Sequence, residues 1–472
     1  MLNYKMVRKG KDRERIMEQV FQYLSENNQE HLEQLKQFLR IPSVSTDSTY
    51  KEDVKKAAGF VAEYLKNAGF RHVEVEETNG HPLVFAEWLE AGAEAPTVLF
   101  YGHYDVQPAE PLGEWKSEPF DPDIRDGRIY ARGASDDKGQ VFMHLAVFKA
   151  FLQTTGKLPV NVKVCIEGEE EIGSANLYDL LQKEKEKYEA DFAVISDSGM
   201  VANDQPTILY GLKGFTGLEF TVKGPDNDLH SGMYGGAIRN PAMAMAHILT
   251  SMKNEDEVVL VEGFYDGVEE LTEDERDLMQ KAPGEDFTVS TGAKETVSEK
   301  GYTAKEHTMA RPTLEINGLY SGYQGEGTKT IIPATATAKL TCRLVPGQDP
   351  AKVQDLLAEH IERKLPKGVT VSIKREPLSA KAYRVDPNHP LIRKAAESFS
   401  ETFGKEAVYV RMGGSIPVVE WLDSIYHIPV VLLGFGTPED RLHSPNESFP
   451  LDHFEKGMQT IANYWNKVKK ID

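Results

Sequence analysis

The chain has 472 residues, with Lys+Arg 54 against Asp+Glu 74 and a formal net charge of −20. Such an acidic balance speaks against nucleic-acid binding, which rests on neutralising phosphates with basic side chains, and no uncharged apolar stretch approaches the ~20 residues of a membrane span. The length exceeds one ordinary core, so two domains are expected.

The opening segment, MLNYKMVRKGKDRERIMEQV, is charged throughout and lacks the apolar core of a signal peptide. Apolar periodicity predicts helices from about Arg13 to Leu39 and from Tyr50 to Ala68. Short apolar runs then alternate with helical patterns: Thr97–Tyr101 precedes a helix near Gly139–Leu152, Val160–Ile166 precedes one near Asn176–Lys187, and Phe192–Ile195 closes the series. That alternation predicts an α/β fold, with a mostly parallel sheet and helices on both faces. The middle of the chain reads differently. Phe215–Val222, Arg311–Ile316, Thr335–Leu344 and Val369–Lys374 alternate polar and apolar residues, with helices near Asn240–Met252 and Ala351–Lys364, as in a smaller α+β domain with an antiparallel sheet. The acids concentrated between Asn254 and Asp286 read as a solvated helical face. After about Pro387 the first style returns, with a helix at Pro390–Phe403, the run Pro429–Gly434 and a final helix at Phe454–Lys469. The expected organisation is one domain of residues 1–212 and 387–472, with residues 213–386 inserted into it. The two cysteines, Cys165 and Cys342, lie in strand-like apolar runs and read as buried free thiols of a reduced, cytoplasmic protein.

The apolar runs of the first domain end in ligating side chains. Thr97–Tyr101 leads to His103 and Asp105, which share a face because they lie two apart on a strand. Val160–Ile166 leads to Glu167-Gly-Glu-Glu-Glu171, Phe192–Ile195 to Ser196-Asp197, and Pro429–Gly434 to a loop carrying His443. The loop Arg132-Gly-Ala-Ser-Asp-Asp-Lys-Gly139 adds Asp136 and Asp137. In open parallel sheets ligands bind outside the carboxyl ends of the strands. Histidines and carboxylates gathered at that edge suit one or two divalent metals. Singly, a His-x-Asp pair reads as a satisfied polar pair and a glutamate run as solvated charge; jointly, so much negative charge at a buried edge repels itself unless a cation is present.

These residues resemble a family, the dinuclear-zinc peptidases of family M20, in the branch of carnosinases and cytosolic non-specific dipeptidases. The resemblance rests on Gly102-His-Tyr-Asp-Val-Gln-Pro108, Arg132–Gly139, Glu167-Gly-Glu-Glu-Glu-Ile-Gly-Ser174, Ile195-Ser-Asp197, Asp228-Leu-His-Ser-Gly-Met-Tyr-Gly-Gly236, Arg343-Leu-Val-Pro346, Gly413-Gly-Ser-Ile-Pro417 and His443-Ser-Pro-Asn-Glu447, in family order from residue 102 to 447. It implies that His103 and Asp197 bind one metal, Glu171 and His443 the other, and that Asp136 bridges both. It makes Asp105 the acid that orients His103 and Glu170 the general base, with Asp137 structural. It implies two divalent cations per subunit, zinc foremost with manganese or cobalt as alternatives. It makes the inserted domain a lid that forms a homodimer, with His230 donating to the oxyanion from the partner subunit. Arg343 is then a clamp for a substrate carboxylate, and Thr330, Gly414 and Ser415 are further substrate contacts. One departure stands out. Relatives in this branch often carry a His-Gly-Gly element late in the lid, where this chain has Leu378-Ser-Ala-Lys381, so their carboxyl-end recognition is not carried over.

The expected function is metal-dependent hydrolysis of the amide bond of a dipeptide or short peptide. The alternative within the family is an amidohydrolase of N-acyl amino acids, which shares the metals and Glu170 and differs in the pocket for the amino-side group. A non-catalytic peptide binder is disfavoured by the intact ligand set. A retaining glycosidase built on the glutamate pair is weaker still, because neighbouring strand residues point to opposite faces.

Overall fold

The computed structural model describes residues 15–284 and 286–470; the residues before 15, with the predicted helix start at Arg13, lie outside them. The chain divides into two compact units: residues up to Tyr210 with Val385–Tyr409 and Trp421 onward, and Gly211–Arg384 with Val410–Glu420.

In the first unit seven strands lie side by side in the order His72–Glu76, Leu83–Trp88, Asn161–Glu167, Thr97–His103, Phe192–Ile195, Val430–Leu432, Thr207–Leu212. The four central ones, from Asn161–Glu167 to Val430–Leu432, pair in parallel. The outer pairings are antiparallel, so the sheet is mixed at its edges. Asn161–Glu167 and Phe192–Ile195 are buried along their whole lengths, and Thr97–His103 at every residue after the first. That is why they read as continuous apolar runs. His72–Glu76 alternates charged and apolar residues at the sheet edge and is mostly exposed, so no apolar run marks it.

The helix Lys138–Thr155 is buried on nearly all sides, packed against Asn28–Leu39, Lys51–Ala68 and Leu451–Lys467. A helix apolar all round belongs to a core. Two glycines let it close on the sheet and the preceding loop. A Cβ at Gly102 would sit 2.4 Å from Val141, and one at Gly139 would sit 2.0 Å from the Ala134 carbonyl oxygen. The start of this helix is thereby held against the carboxyl end of Thr97–His103.

The second unit contains an antiparallel sheet ordered Thr313–Ser321, Thr335–Leu344, Gly214–Lys223, Thr370–Arg375. Along Thr335–Leu344 every second residue, from Ala336 to Leu344, is buried, which leaves Arg343 on the exposed face. Phe220, Val222, Ala338 and Leu340 form a core with Ile248 and Leu357 of the helices Pro241–Thr250 and Pro350–Lys364. The acid-rich stretch is only partly a solvated face. Helix Glu273–Lys281 opens with a Thr272/Glu275 capping box, and Glu275 also pairs with Arg384 and Arg411. Cys165 and Cys342 are free and buried. Among the described residues no helix is long and apolar enough to cross a membrane.

Candidate metal centre

Five segments of the first unit converge. His103 ends its strand fully buried, and its Nδ1 lies 3.1 Å from the Asp105 carbonyl oxygen and 3.4 Å from Asp105 Oδ1. With Nδ1 turned toward these oxygens, Nε2 is the nitrogen that can offer a lone pair to a cation. The Asp105 carboxylate has a second task. It accepts from the backbone N–H groups of Glu170 (3.2 Å) and Glu171 (3.1 Å), which open the short 3-10 turn Glu170–Ile172. One buried acid thus aligns a histidine with two glutamates. Glu167, at the end of the neighbouring strand, anchors this corner by accepting from Tyr101 Oη (2.6 Å) and Ser174 Oγ (2.8 Å).

Asp136 lies at the focus. His103 Nε2 is 3.1 Å from Asp136 Oδ1 and 3.9 Å from Asp197 Oδ2, while His443 Nε2 is 3.0 Å from Asp136 Oδ2 and 3.4 Å from Glu171 Oε2. The ligating atoms of His103, Asp136 and Asp197 lie within 4.8 Å of one another, and so do those of Asp136, Glu171 and His443. Each oxygen of Asp136 therefore faces one group. Gln107 Nε2 donates to Glu171 Oε2 at 2.8 Å and steadies it. The peptide between Asp136 and the buried Asp137 is cis, and Asp137 belongs to neither group.

The electrostatics call for cations. Burial, followed by the charge of Asp136, pushes the Asp197 carboxyl up to about 6 and that of Glu171 up to about 8. Burial also raises Glu170 well above the usual carboxylate range. His103 Nε2 is buried without a hydrogen-bond partner despite its proximity to Asp136. A nitrogen lone pair, three carboxylates and a second imidazole form a donor set suited to borderline and hard divalent ions. The residues of the two groups, both of which include Asp136, fit divalent cations.

A prediction follows for the cation-free protein. Asp197 and Glu171 have folded-state pKa values above those of the unfolded chain, so the folded state binds more protons and stability falls as pH rises. The loss runs from the ordinary carboxylate range to about 6 for Asp197 and about 8 for Glu171. His103, also raised, acts in the same direction above its own ordinary value. The melting temperature of chelator-treated protein should therefore drop between pH 5 and pH 8, and a divalent cation should flatten the profile. A melting temperature that climbs with pH in chelator would contradict this.

A third group, Asp204, Asp452 and His453, also clusters. It already holds a cation: Lys456 Nζ lies 2.8 Å from Asp204 and 3.2 Å from Asp452.

The expected substrate contacts fall in the second unit. His230 is exposed at the end of a two-residue strand, where it pairs with Ile331, its Nδ1 accepts from the Gly232 N–H at 3.0 Å, and Ser231 N donates to the Thr330 carbonyl. Arg343 Nη1 donates to Ser415 Oγ at 3.0 Å. Ser415 Oγ donates to the Lys213 carbonyl, and the Lys213 N–H reaches the Gly414 carbonyl at 3.1 Å. So His230 neighbours Thr330, and Arg343 neighbours Ser415 and Gly414. Sequence reasoning missed Gln107, Arg132, Asp440 and Glu447, whose partners are distant in the chain. The signal that could have found three of these is their place inside the quoted motifs: Gln107 in Gly102–Pro108, Arg132 in Arg132–Gly139 and Glu447 four residues after His443.

Residues 99–467 match the peptidase family M20/M25/M40. The chain is 31% identical to the Cys-Gly metallodipeptidase of Candida albicans over 95% of its own length and 96% of that protein. Its fold is similar to the solved structure of an M20 family metallo-carboxypeptidase from Sulfolobus solfataricus, with a TM-score of 0.82 and 34% identity over 93% of this chain and 99% of that one. It is also similar to human carnosine dipeptidase 1, with a TM-score of 0.79 and 29% identity over 96% of this chain and 99% of that one. These matches establish that the chain, with its clustered candidate ligands in the first unit, belongs to peptidase family M20/M25/M40 and is a metallopeptidase.

Proposed function

We propose that this protein hydrolyses the amide bond of dipeptides or short peptides with a free carboxylate, using two divalent cations, zinc foremost, held by His103, Asp136, Asp197, Glu171 and His443. The observation that carries the reading is Asp136, whose two oxygens each face a separate group containing a histidine and an acid. Bound cations would polarise the scissile carbonyl and lower the pKa of a water in the cluster. Glu170 takes the proton of that water and returns it to the leaving amine. It is left for this task because it belongs to neither group, while the charges of His103, Asp197, Glu171 and Asp136 all act on it. Asp105 keeps His103 and the Glu170–Glu171 turn in register. Arg343 offers the substrate carboxylate a planar pair of donors, with one nitrogen tethered by Ser415. Thr330 and Gly414 contribute further substrate contacts.

The unit around residues 213–386, joined by Val410–Glu420, serves as lid and dimerisation domain, and the rest of 1–212 and 387–472 as the metal-binding domain. Edge strand Thr313–Ser321 supports the homodimer: Ile316, Leu319 and Tyr320 are 48%, 57% and 46% exposed on an outer strand, an apolar edge that a second copy would cover. The free buried thiols favour a reducing, cytoplasmic compartment. His230 acts on the oxyanion across the dimer. His230→Ala should keep both cations but lower turnover, and mixing it with Glu170→Gln subunits should restore part of the activity. Verified heterodimers without restored activity would argue for action within one chain.

The substrate class is tested with a panel of dipeptides beside the matching N-acetyl amino acids. Cleavage of dipeptides alone supports the proposal. Cleavage of the acetylated set alone would make the protein a deacylase with the same catalytic residues.

A further inference from the structure

His443 is the least supported ligand of the cluster. Its side chain is 56% exposed, and the loop that carries it has left-handed backbone at Arg441, His443 and Asn446. Its place opposite Asp136 must come from the ends of that loop. Both ends carry a fully buried acid, Asp440 three residues before the histidine and Glu447 four residues after it.

Both acids grip the loop that carries Asp136. Glu447 Oε1 accepts from the backbone N–H groups of Ser135 (2.9 Å) and Asp136 (3.1 Å), and Oε2 accepts from Gly133 N–H (3.0 Å) and Arg132 Nη1 (2.7 Å). All four partners are donors, which fits an ionised carboxylate with every lone pair engaged. Arg132 also donates to the Pro108 carbonyl at 3.0 Å and so ties in the segment that follows His103. Asp440 Oδ2 accepts from Ser135 Oγ at 2.6 Å and from Thr437 N at 2.9 Å, and its Oδ1 pairs with Arg128. Ser448 N donates to the Asp440 carbonyl at 3.0 Å and closes the neck of the His443 loop.

We propose that Glu447, assisted by Asp440, is the positioning residue that sets the distance between Asp136 and His443 and thereby creates the second cation group. The proposal rests on the two-cation reading above. The other group has independent support: His103 is fixed by Asp105 at a strand end, and Asp197 follows a buried strand. Loss of Glu447 should therefore weaken the two cations unequally. In Glu447→Gln, either orientation of the amide turns an NH2 toward backbone or guanidinium donors, and the grip on the loop opens.

The test is competitive Zn2+ titration of chelator-stripped protein against a chromophoric chelator, for wild type, Glu447→Gln, His443→Ala and the double variant. The expected wild type binds two ions per chain. Glu447→Gln should weaken the second ion by about 10- to 100-fold, the range for residues that orient metal ligands, and leave the first within about threefold. The double variant should lose no more second-ion affinity than His443→Ala alone, because without His443 the spacing that Glu447 sets has no second ligand. Two ions at wild-type affinity, equal weakening of both, or additive losses would overturn the assignment. If Glu447→Gln does not fold, Asp440→Asn should give the same unequal loss in milder form; failure of both to fold would make the acids structural and also overturn it. A wild type that binds fewer than two ions contradicts the two-cation reading itself, a failure distinct from a wild type that binds two while Glu447→Gln does the same.

Discussion

Replacing Glu170 with glutamine is expected to lower kcat by about 10²- to 10⁴-fold, the usual contribution of a positioned acid–base group, and to leave the bound metal unchanged. That corresponds to roughly 3–5 kcal/mol of transition-state stabilisation. The separation of effects follows from the geometry. Glu171, the next residue, has its oxygen 3.4 Å from His443, whereas Glu170 belongs to neither candidate group. Both backbone N–H groups are fixed by Asp105 whatever side chain residue 170 carries. Glutamine preserves shape but cannot accept the proton of an attacking water. Metal analysis beside steady-state kinetics checks this, and a metal-loaded Glu170→Gln enzyme with wild-type kcat would remove Glu170 from the mechanism.

Asp136→Asn should have the second large effect, and on metal rather than on proton transfer. Both histidines approach this one carboxylate, His103 at Oδ1 and His443 at Oδ2. An amide presents an oxygen to one group only and carries no charge for either. Both ions should dissociate far more readily, and activity should fall by ~10³-fold or more, since the loss removes the Lewis-acid contribution of several kcal/mol. Asp197→Asn gives the contrast: Asp197 faces the His103 group alone, so one ion should remain. Elemental analysis after gel filtration separates the cases. An Asp136→Asn protein that retains two ions would show that the carboxylate does not bridge.

The edge that carries the candidate ligands was readable because its strands are buried on both faces. Continuous apolar runs mark such strands, and the first polar residues after them stand at the carboxyl edge where ligands bind. His103, Glu171 and Asp197 all follow this rule, and the alternation in Thr335–Leu344 likewise put Arg343 on an exposed face. Local pattern fails where support comes from far along the chain. Glu447 bonds to residues 132–136, more than 300 positions away, and no spacing rule links them. Segment Val410–Glu420 joins the second unit although a run of the first unit's style surrounds it. Its place is fixed by backbone bonds from Lys213 to the carbonyls of Met412 and Gly414. His72–Glu76 was silent for a third reason: an exposed edge strand needs no apolar run.

The most direct measurement of the central claim is a Zn2+ titration of chelator-stripped protein followed by the rate of dipeptide hydrolysis. Stripped protein should show no hydrolysis, and the rate should reach its plateau at two ions per chain, with the plateau lost in Asp136→Asn. Full hydrolysis by stripped protein, or a plateau unaffected by Asp136→Asn, would contradict that claim.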